Sequence, residues 1–255
     1  AEEYIDGFMQ HVCTQTIFDE IDLLIYDAGS TGKEREVIER YCKKYDNIHY
    51  IRDEEKIGSS EAFNRMIQKS PNDFVGMISV DDRPVADYAE VLRKHLLFSK
   101  TDLVYGDCLV SEQKNGLFLE VNTKSKHLPY KIYEHSKSDF SPHNMIKSLP
   151  GPMPMFRKSM IESHGGFSTS LKHANDWELW LRCVRGGSIF QKVHVPVGIY
   201  YYNPDGVTTS HKTFESKLTE ENQIFNEYRD VLGEKNYHMY KNHFSQFSNK
   251  EQTNV

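Results

Sequence analysis

Short apolar, β-rich runs alternate with helical patterns from the first residues to about Asp107, and this alternation constrains the fold more than any other feature. Ile5, Phe8, Met9 and Val12 recur at i, i+3, i+4 and i+7, the spacing of one helix face. Ile21 to Tyr26 reads as a buried strand. Thr31-Gly32-Lys33-Glu34 then reads as a capping box opening a helix with Val37, Ile38, Tyr41 and Tyr45 on its inner stripe. Ile48 to Ile51 is a strand, and Ala62, Phe63, Met66 and Ile67 mark the next helix. Phe74 to Val80 is a strand, Tyr88 to Phe98 a helix, and Asp102 to Tyr105 a strand. Strands spaced by helices pair in parallel, so the chain predicts an α/β fold with an open, mostly parallel sheet sandwiched by helices.

In such sheets ligands collect outside the carboxyl ends of the strands. Two acidic sites fall there. Asp27 opens Asp27-Ala28-Gly29-Ser30-Thr31-Gly32 between a strand and a helix. Glycine lets a backbone approach closely, and a helix start offers free N–H groups to an anion or polar base. The same residues also read as an ordinary capped strand-turn-helix. Asp81 and Asp82 close the apolar run from Phe74. Adjacent carboxylates at the end of a buried strand call for a neutralising cation or polar ligand, and hard oxygen donors suit Mg²⁺ or Mn²⁺ held jointly with phosphates. An exposed turn is the alternative. Lys56-Ile57-Gly58 to Asn64 is a second loop entering a helix, where Gly58 lets a ligand approach and Lys56 can meet phosphate.

The pattern weakens after Asp107. Asn122 to Pro150 has no period and reads as a long loop, and Gly151-Pro152-Met153-Pro154 is a breaker cluster. A helix follows from Asp176 to Val184, then strands near Ile189 to Val193 and Gly198 to Tyr202. Asp176 sits at that helix start, placed either to take a proton from a hydroxyl or to cap the helix. Tyr200-Tyr201-Tyr202 reads as a sugar-stacking surface or as a core strand. Residues from Phe214 to Phe247 read as a polar helical tail. The division predicted is a domain over 1–210, with a nucleotide-binding half at 1–107 and an acceptor half at 108–210, followed by a helical extension at 211–255.

A net charge of -6 argues against a nucleic-acid partner. The 4 cysteines lack CxxC spacing and read as free thiols. No apolar stretch reaches the ~20 residues of a membrane span. The expected location is the cytoplasm, with peripheral attachment at the inner membrane face left open. The chain begins at Ala1 directly in a helical pattern, as an excised segment would.

Taken in order, Asp27-Ala28-Gly29-Ser30-Thr31, Gly58 with Ala62-Phe63-Asn64, Asp81-Asp82, and Gly166-Phe167 with Asp176-Trp177-Glu178-Leu179-Trp180-Leu181-Arg182 resemble the inverting family-2 glycosyltransferases of the GT-A fold. Met155-Phe156-Arg157-Lys158-Ser159 and Tyr201-Tyr202-Asn203-Pro204-Asp205-Gly206 resemble one bacterial branch. The resemblance implies a nucleotide-diphosphate-sugar donor, a glycan or lipid-linked acceptor, and a role in polysaccharide or glycan synthesis. It implies that Asp27, with Ala28 and Gly29, contacts the nucleobase and that Lys56, Gly58 and Asn64 help hold the nucleotide. Asp81 and Asp82 would bind ribose, pyrophosphate and Mg²⁺ or Mn²⁺, with Asp82 as the main metal ligand, and Asp176 would be the catalytic base. Ser79 stands where many members carry a further aspartate. The family also begins with a strand ending in a Pro-x-Tyr-Asn-like segment, so the resemblance implies a sheet without that first strand. The alternatives are a sugar nucleotidyltransferase, with Arg83 or Lys56 at the attacked phosphate, and a non-catalytic nucleotide- or glycan-binding module.

Overall fold

A computed structural model describes residues 1–115, 132–135, 138–203, 206 and 209–242. Residues 122–131 and 136–137 of the expected loop from Asn122 to Pro150, together with Pro204 and Asp205, lie outside the described residues.

The helices are α1 (Glu2–Val12), α2 (Glu34–Cys42), α3 (Ser59–Lys69), α4 (Tyr88–Phe98), α5 (Lys158–His164), α6 (Asn175–Arg185), α7 (Phe214–Glu227) and α8 (Arg229–Leu232), and helical backbone resumes over 234–242. The strands are β1 (Leu23–Ala28), β2 (Ile48–Asp53), β3 (Phe74–Gly76), β4 (Arg83–Pro84), β5 (Leu103–Ser111), β6 (Ile132–His135), β7 (Met155–Arg157) and β8 (Phe190–Tyr201). The two long pairings are parallel. β1 runs beside β2 from Leu23 opposite Ile48 to Ala28 opposite Asp53, and β5 runs beside β8. The shorter pairings of β3 with β7, β4 with β8, β5 with β6 and β5 with β7 are antiparallel. The α/β expectation therefore holds, with antiparallel strands interleaved among the parallel ones, β7 lying between β3 and β5.

Three boundaries differ from the sequence reading. The Phe74 run forms strand only as far as Gly76; Met77 N–H makes a last bond to Pro154 O at 3.1 Å, and beyond it Asp82 N–H closes a turn on Ser79 O at 3.0 Å. The two strands expected near Ile189 and Gly198 are one strand, β8, with register shifts opposite Gly106 and Asp107 where Pro196 interrupts the ladder. The capping box is absent: α2 starts at Glu34 without a side-chain cap, and the preceding turn is closed by Asp27 instead.

The main core gathers around Trp180, Phe156, Tyr105 and Leu103, each at most 1% exposed. Full burial of such side chains contributes roughly 1.5–3 kcal/mol apiece. Ile224, Phe225 and Tyr228 of the C-terminal helices pack into this same core against Trp177. A second cluster lies under α4, and a third joins α1 to α2 and β2. Between β1 and β3 is an apolar cavity of about 420 Å³, with Leu24 on one wall and Val75 on the other. Among the described residues the two sheets do not hydrogen-bond to each other. The cysteines are free, with Cys108 and Cys183 buried and Cys13 and Cys42 half-buried. No described helix is long and apolar enough to cross a membrane.

Candidate active site

Asp27 is the penultimate residue of β1 and lies opposite Arg52 of β2. Its carboxylate is 4% exposed. Oδ1 accepts the Ser30 N–H at 2.7 Å; Oδ2 accepts the Tyr50 hydroxyl at 2.6 Å and an N–H of Arg52. Burial pushes the Asp27 pKa up, but hydrogen bonds from Tyr50, Ser30 and Arg52 prevail and hold it below the ordinary carboxylate value. The Tyr50 phenol is driven the other way, to about 12, by burial and by its bond to Asp27. Neither Tyr50 nor Arg52 was singled out from the sequence. Their period-2 spacing on β2, facing an acidic residue across a parallel pair, is the signal that identifies them.

The next turn residue, Gly29, has φ +74, and a Cβ there would stand 3.1 Å from backbone atoms of Glu55 and Lys56. The left-handed conformation and this close approach both require glycine. Gly29 thereby joins the Asp27 turn to the Lys56 loop. Lys56 and Gly58 are exposed, and the space beside Gly58 is open. Asn64, expected to help hold the nucleotide, is hydrogen-bonded here to the Gly166-Phe167 segment. Its amide donates to Phe167 O at 2.9 Å and accepts from Phe167 N at 2.7 Å, so both ends are spent clamping α3 to the Gly166-Phe167 segment. A Cβ on Gly166 would lie 2.2 Å from Asn64 Oδ1, which is why that segment begins with glycine.

From α3 a hydrogen-bonded path leads to Asp176. Ser60, buried in the first turn of α3, accepts from Asn175 Nδ2 at 2.5 Å, and Asn175 Oδ1 accepts the Asp176 N–H at 2.8 Å. Asp176 does not cap its helix: Ala174 holds that position, without a side-chain bond. Its Oδ2 accepts the Ser148 hydroxyl at 2.5 Å. The half-exposed carboxylate opens into a cavity of about 620 Å³. Further along α6 the charges are structural. Glu178 receives Arg182 at 2.9 Å and the Tyr228 hydroxyl at 2.6 Å, and Arg182 also bonds Gly166 O at 2.7 Å. Ser148 lies in the stretch without a sequence period, and Asn175 is overshadowed by its acidic neighbour, so neither was legible beforehand.

Asp81 and Asp82 divide into an outer and an inner group. Asp81 is half-buried, whereas Asp82 is 2% exposed and accepts the Tyr201 N–H at 3.1 Å. Burial, and then the neighbouring Asp81 charge, push the Asp82 pKa well above the carboxylate range; Tyr201 and Arg83 oppose this only in part. Arg83, 1% exposed, does not pair with either carboxylate. Its guanidinium donates to Val80 O at 2.8 Å, Asp82 O at 2.7 Å and Tyr4 O at 3.0 Å, and to Asn115. A hard divalent cation fits this under-compensated pair. No group of three or more His, Cys, Asp or Glu converges among the described residues, so such an ion would complete its shell with phosphate and water, as Mg²⁺ and Mn²⁺ do. Tyr201 stands 5.8 Å from the Tyr4 ring and meets Asp82 through its backbone rather than through its ring.

The sequence pattern of glycosyl transferase family 2 matches residues 1–165. The uncharacterized glycosyltransferase MJ1057 of Methanocaldococcus jannaschii is 21% identical over 184 residues, which is 72% of this chain and 60% of that protein. The mannosyltransferase PcManGT of Pyrobaculum calidifontis, solved with GDP-Man and Mn²⁺, has a TM-score of 0.64 at 15% identity over 89% of this chain and 60% of that one. TarS 1-349 of S. aureus with UDP-GlcNAc has a TM-score of 0.67 at 13% identity, over 91% of this chain and 68% of that one. At these identities the likeness to solved structures is one of fold, and the chain spans about 60% of the length of MJ1057 and PcManGT. The family pattern, by contrast, takes in well over half of the sequence, from α1 through α5. The chain belongs to glycosyl transferase family 2.

Proposed function

We propose that this chain transfers a sugar from a nucleotide-diphosphate-sugar donor to a hydroxyl acceptor, with inversion and with the help of Mg²⁺ or Mn²⁺. The observation that carries this reading is the path Ser60–Asn175–Asp176, which ties the helix after the Lys56-Gly58 loop to a carboxylate facing a separate cavity. Donor and base are then held by one framework, as a displacement from opposite sides requires. The neighbours solved with GDP-Man and Mn²⁺ and with UDP-GlcNAc support the donor class.

In this reading Asp27, Ala28 and Gly29 meet the nucleobase, and Lys56 and the open backbone at Gly58 meet the phosphates. Asp81, the more accessible carboxylate, and Asp82 reach ribose, pyrophosphate and the cation, with Asp82 as the main metal ligand. The cation, when bound, supplies charge neutralisation on the leaving diphosphate. Asp176 takes the proton of the attacking hydroxyl, and Ser148 fixes the orientation of its carboxylate. We place the reaction in polysaccharide or glycan synthesis at the cytoplasmic face of the membrane. A nucleotidyltransferase is less well supported, because Arg83 is buried and committed to carbonyls. Asp176→Asn should lower turnover ~10²–10⁴-fold while sparing the thermal shift produced by UDP- and GDP-sugars with Mn²⁺. Unchanged turnover would remove Asp176 from the role of base.

A further inference from the structure

The cavity beside Asp176 is walled on its far side by the C-terminal helices, which lie beyond the part matched by the family pattern. α7 contributes Lys217, Glu221 and Phe225, and the helical stretch 234–242 contributes Met239 and Tyr240. The wall is rigid where it is aromatic. Phe225 stacks on Tyr240 at 3.6 Å between ring centroids and meets Trp177 edge-on at 5.1 Å. The Trp177 indole is pinned by its N–H to Met145 O at 2.6 Å. The polar groups come from two sides. Asp176 projects from α6, and Glu221, largely buried with its carboxyl pKa raised by that burial, comes from α7. Lys217 lies 3.9 Å from Glu221 and offsets its charge in part.

An apolar, aromatic-walled pocket with a few converging hydrogen-bond acceptors is built for a ring that is apolar on its face and hydroxylated at its edge. Two carboxylates, Asp176 and Glu221, and two lysines, Lys147 and Lys217, line the cavity, so its formal charges balance and an uncharged occupant is the complementary one. We propose that this cavity is the acceptor site, that it takes an uncharged saccharide, and that Glu221 and Tyr240 of the C-terminal helices select it. The inference rests on the reading of Asp176 as base, but its test does not.

Both tryptophans are buried, Trp177 at 4% and Trp180 at 1% exposure, but only Trp177 borders the cavity, so a change in tryptophan fluorescence reports binding there without any turnover. The full chain would be titrated with cellotriose, chitotriose and glycerol 3-phosphate. The expected result is a saturable change with a neutral trisaccharide, weakened about tenfold in Glu221→Gln by loss of a charged acceptor. Tyr240→Phe should retain the response and Tyr240→Ala should lose it, with circular dichroism showing both folded. Glu215→Gln, an exposed change in the first turn of α7, should match wild type. In transfer assays Glu221→Gln should raise the acceptor KM about tenfold, whereas Asp176→Asn lowers kcat. Saturation by glycerol 3-phosphate alone, no saturable response to either trisaccharide, or equal affinities in wild type, Glu221→Gln and Tyr240→Ala would each overturn the assignment. Failure of the base reading looks different: Asp176→Asn would keep its kcat while the fluorescence response stayed intact.

Discussion

Asp27 and Asp82 are buried to nearly the same degree, at 4% and 2% exposure, yet their surroundings drive them in opposite directions. Asp27 receives three donors, one of them a guanidinium, and is held ionised. Asp82 receives one backbone N–H, stands beside a second carboxylate, and has an arginine next door whose N–H groups go to carbonyls. Burial alone therefore does not mark a ligand site. The two sites differ in compensation, which is complete at Asp27 and left out at Asp82. At Asp27 the protein completes its own ion pair; at Asp82 it supplies no such partner, and burial drives the carboxyl toward its neutral form.

The largest consequence is for stability at the completed site. Asp27→Ala leaves Arg52, 21% exposed at its side chain, without its carboxylate and leaves the Tyr50 hydroxyl without an acceptor. Because Arg52 keeps solvent, Ser30 O and Glu54, the cost comes mainly from the unsatisfied Tyr50 hydroxyl and lost donors, about 1–3 kcal/mol, read from denaturant midpoints at neutral pH. The effect carries a pH signature. Because the folded pKa of Asp27 is depressed, its contribution is complete above the unfolded value of about 3.9 and is lost as pH falls through the folded value. The gap between wild type and the variant should narrow in acid. A gap independent of pH would mean that packing, rather than charge, is what Asp27 supplies.

The opposite sign is expected at the uncompensated site. Asp82→Asn keeps the shape and an oxygen for the Tyr201 N–H but removes a charge that burial disfavours. With chelator present it should raise Tm by about 2–4 °C, the response of a domain this size to roughly 1 kcal/mol. An acid with a raised folded pKa costs stability above its unfolded value, so this gain should disappear below about pH 4. With Mn²⁺ and a nucleotide sugar the order should invert, because only the carboxylate gains stability from the ion. A destabilised Asp82→Asn that still shows the full Mn²⁺-dependent shift would make Asp82 a plain structural anchor.

The contrast also explains what could be read from the chain beforehand. α4 matches the expected Tyr88–Phe98, and α1 lies on its expected stripe, because a helix declares itself through local spacing. Asp27, Asp81-Asp82 and Asp176 were visible because carboxylates at element ends stand out against apolar runs. Their partners were not. Arg52 faces Asp27 through strand register, Tyr201 reaches Asp82 across 119 residues, and Asn64 clamps Phe167 across 103. Only tertiary pairing decides which carboxylate is compensated and whether an asparagine is free for a ligand. Strand ends failed for a related reason: β5 continues through Gly106-Asp107 to Ser111 because β8 is there to receive it, and nothing local in those residues says so.

Tyr50→Phe is the finest probe of the comparison. It removes a single donor from Asp27 and leaves the Arg52 and Ser30 contacts in place, moving Asp27 one step toward the condition of Asp82. A hydrogen bond to a charged group is worth about 1.5–3 kcal/mol at most, and the loss is eased here because Arg52 remains to hold the same oxygen, so a cost near 1 kcal/mol is expected. The more telling readout is the acid limb. With one stabilising donor gone, the Asp27 carboxylate should protonate at higher pH, and acid unfolding should begin earlier than in wild type. If the three donors act independently, the cost in Tyr50→Phe should persist in an Arg52→Lys background. If they act as one polarised network, the double variant should lose less than the sum of the two single changes.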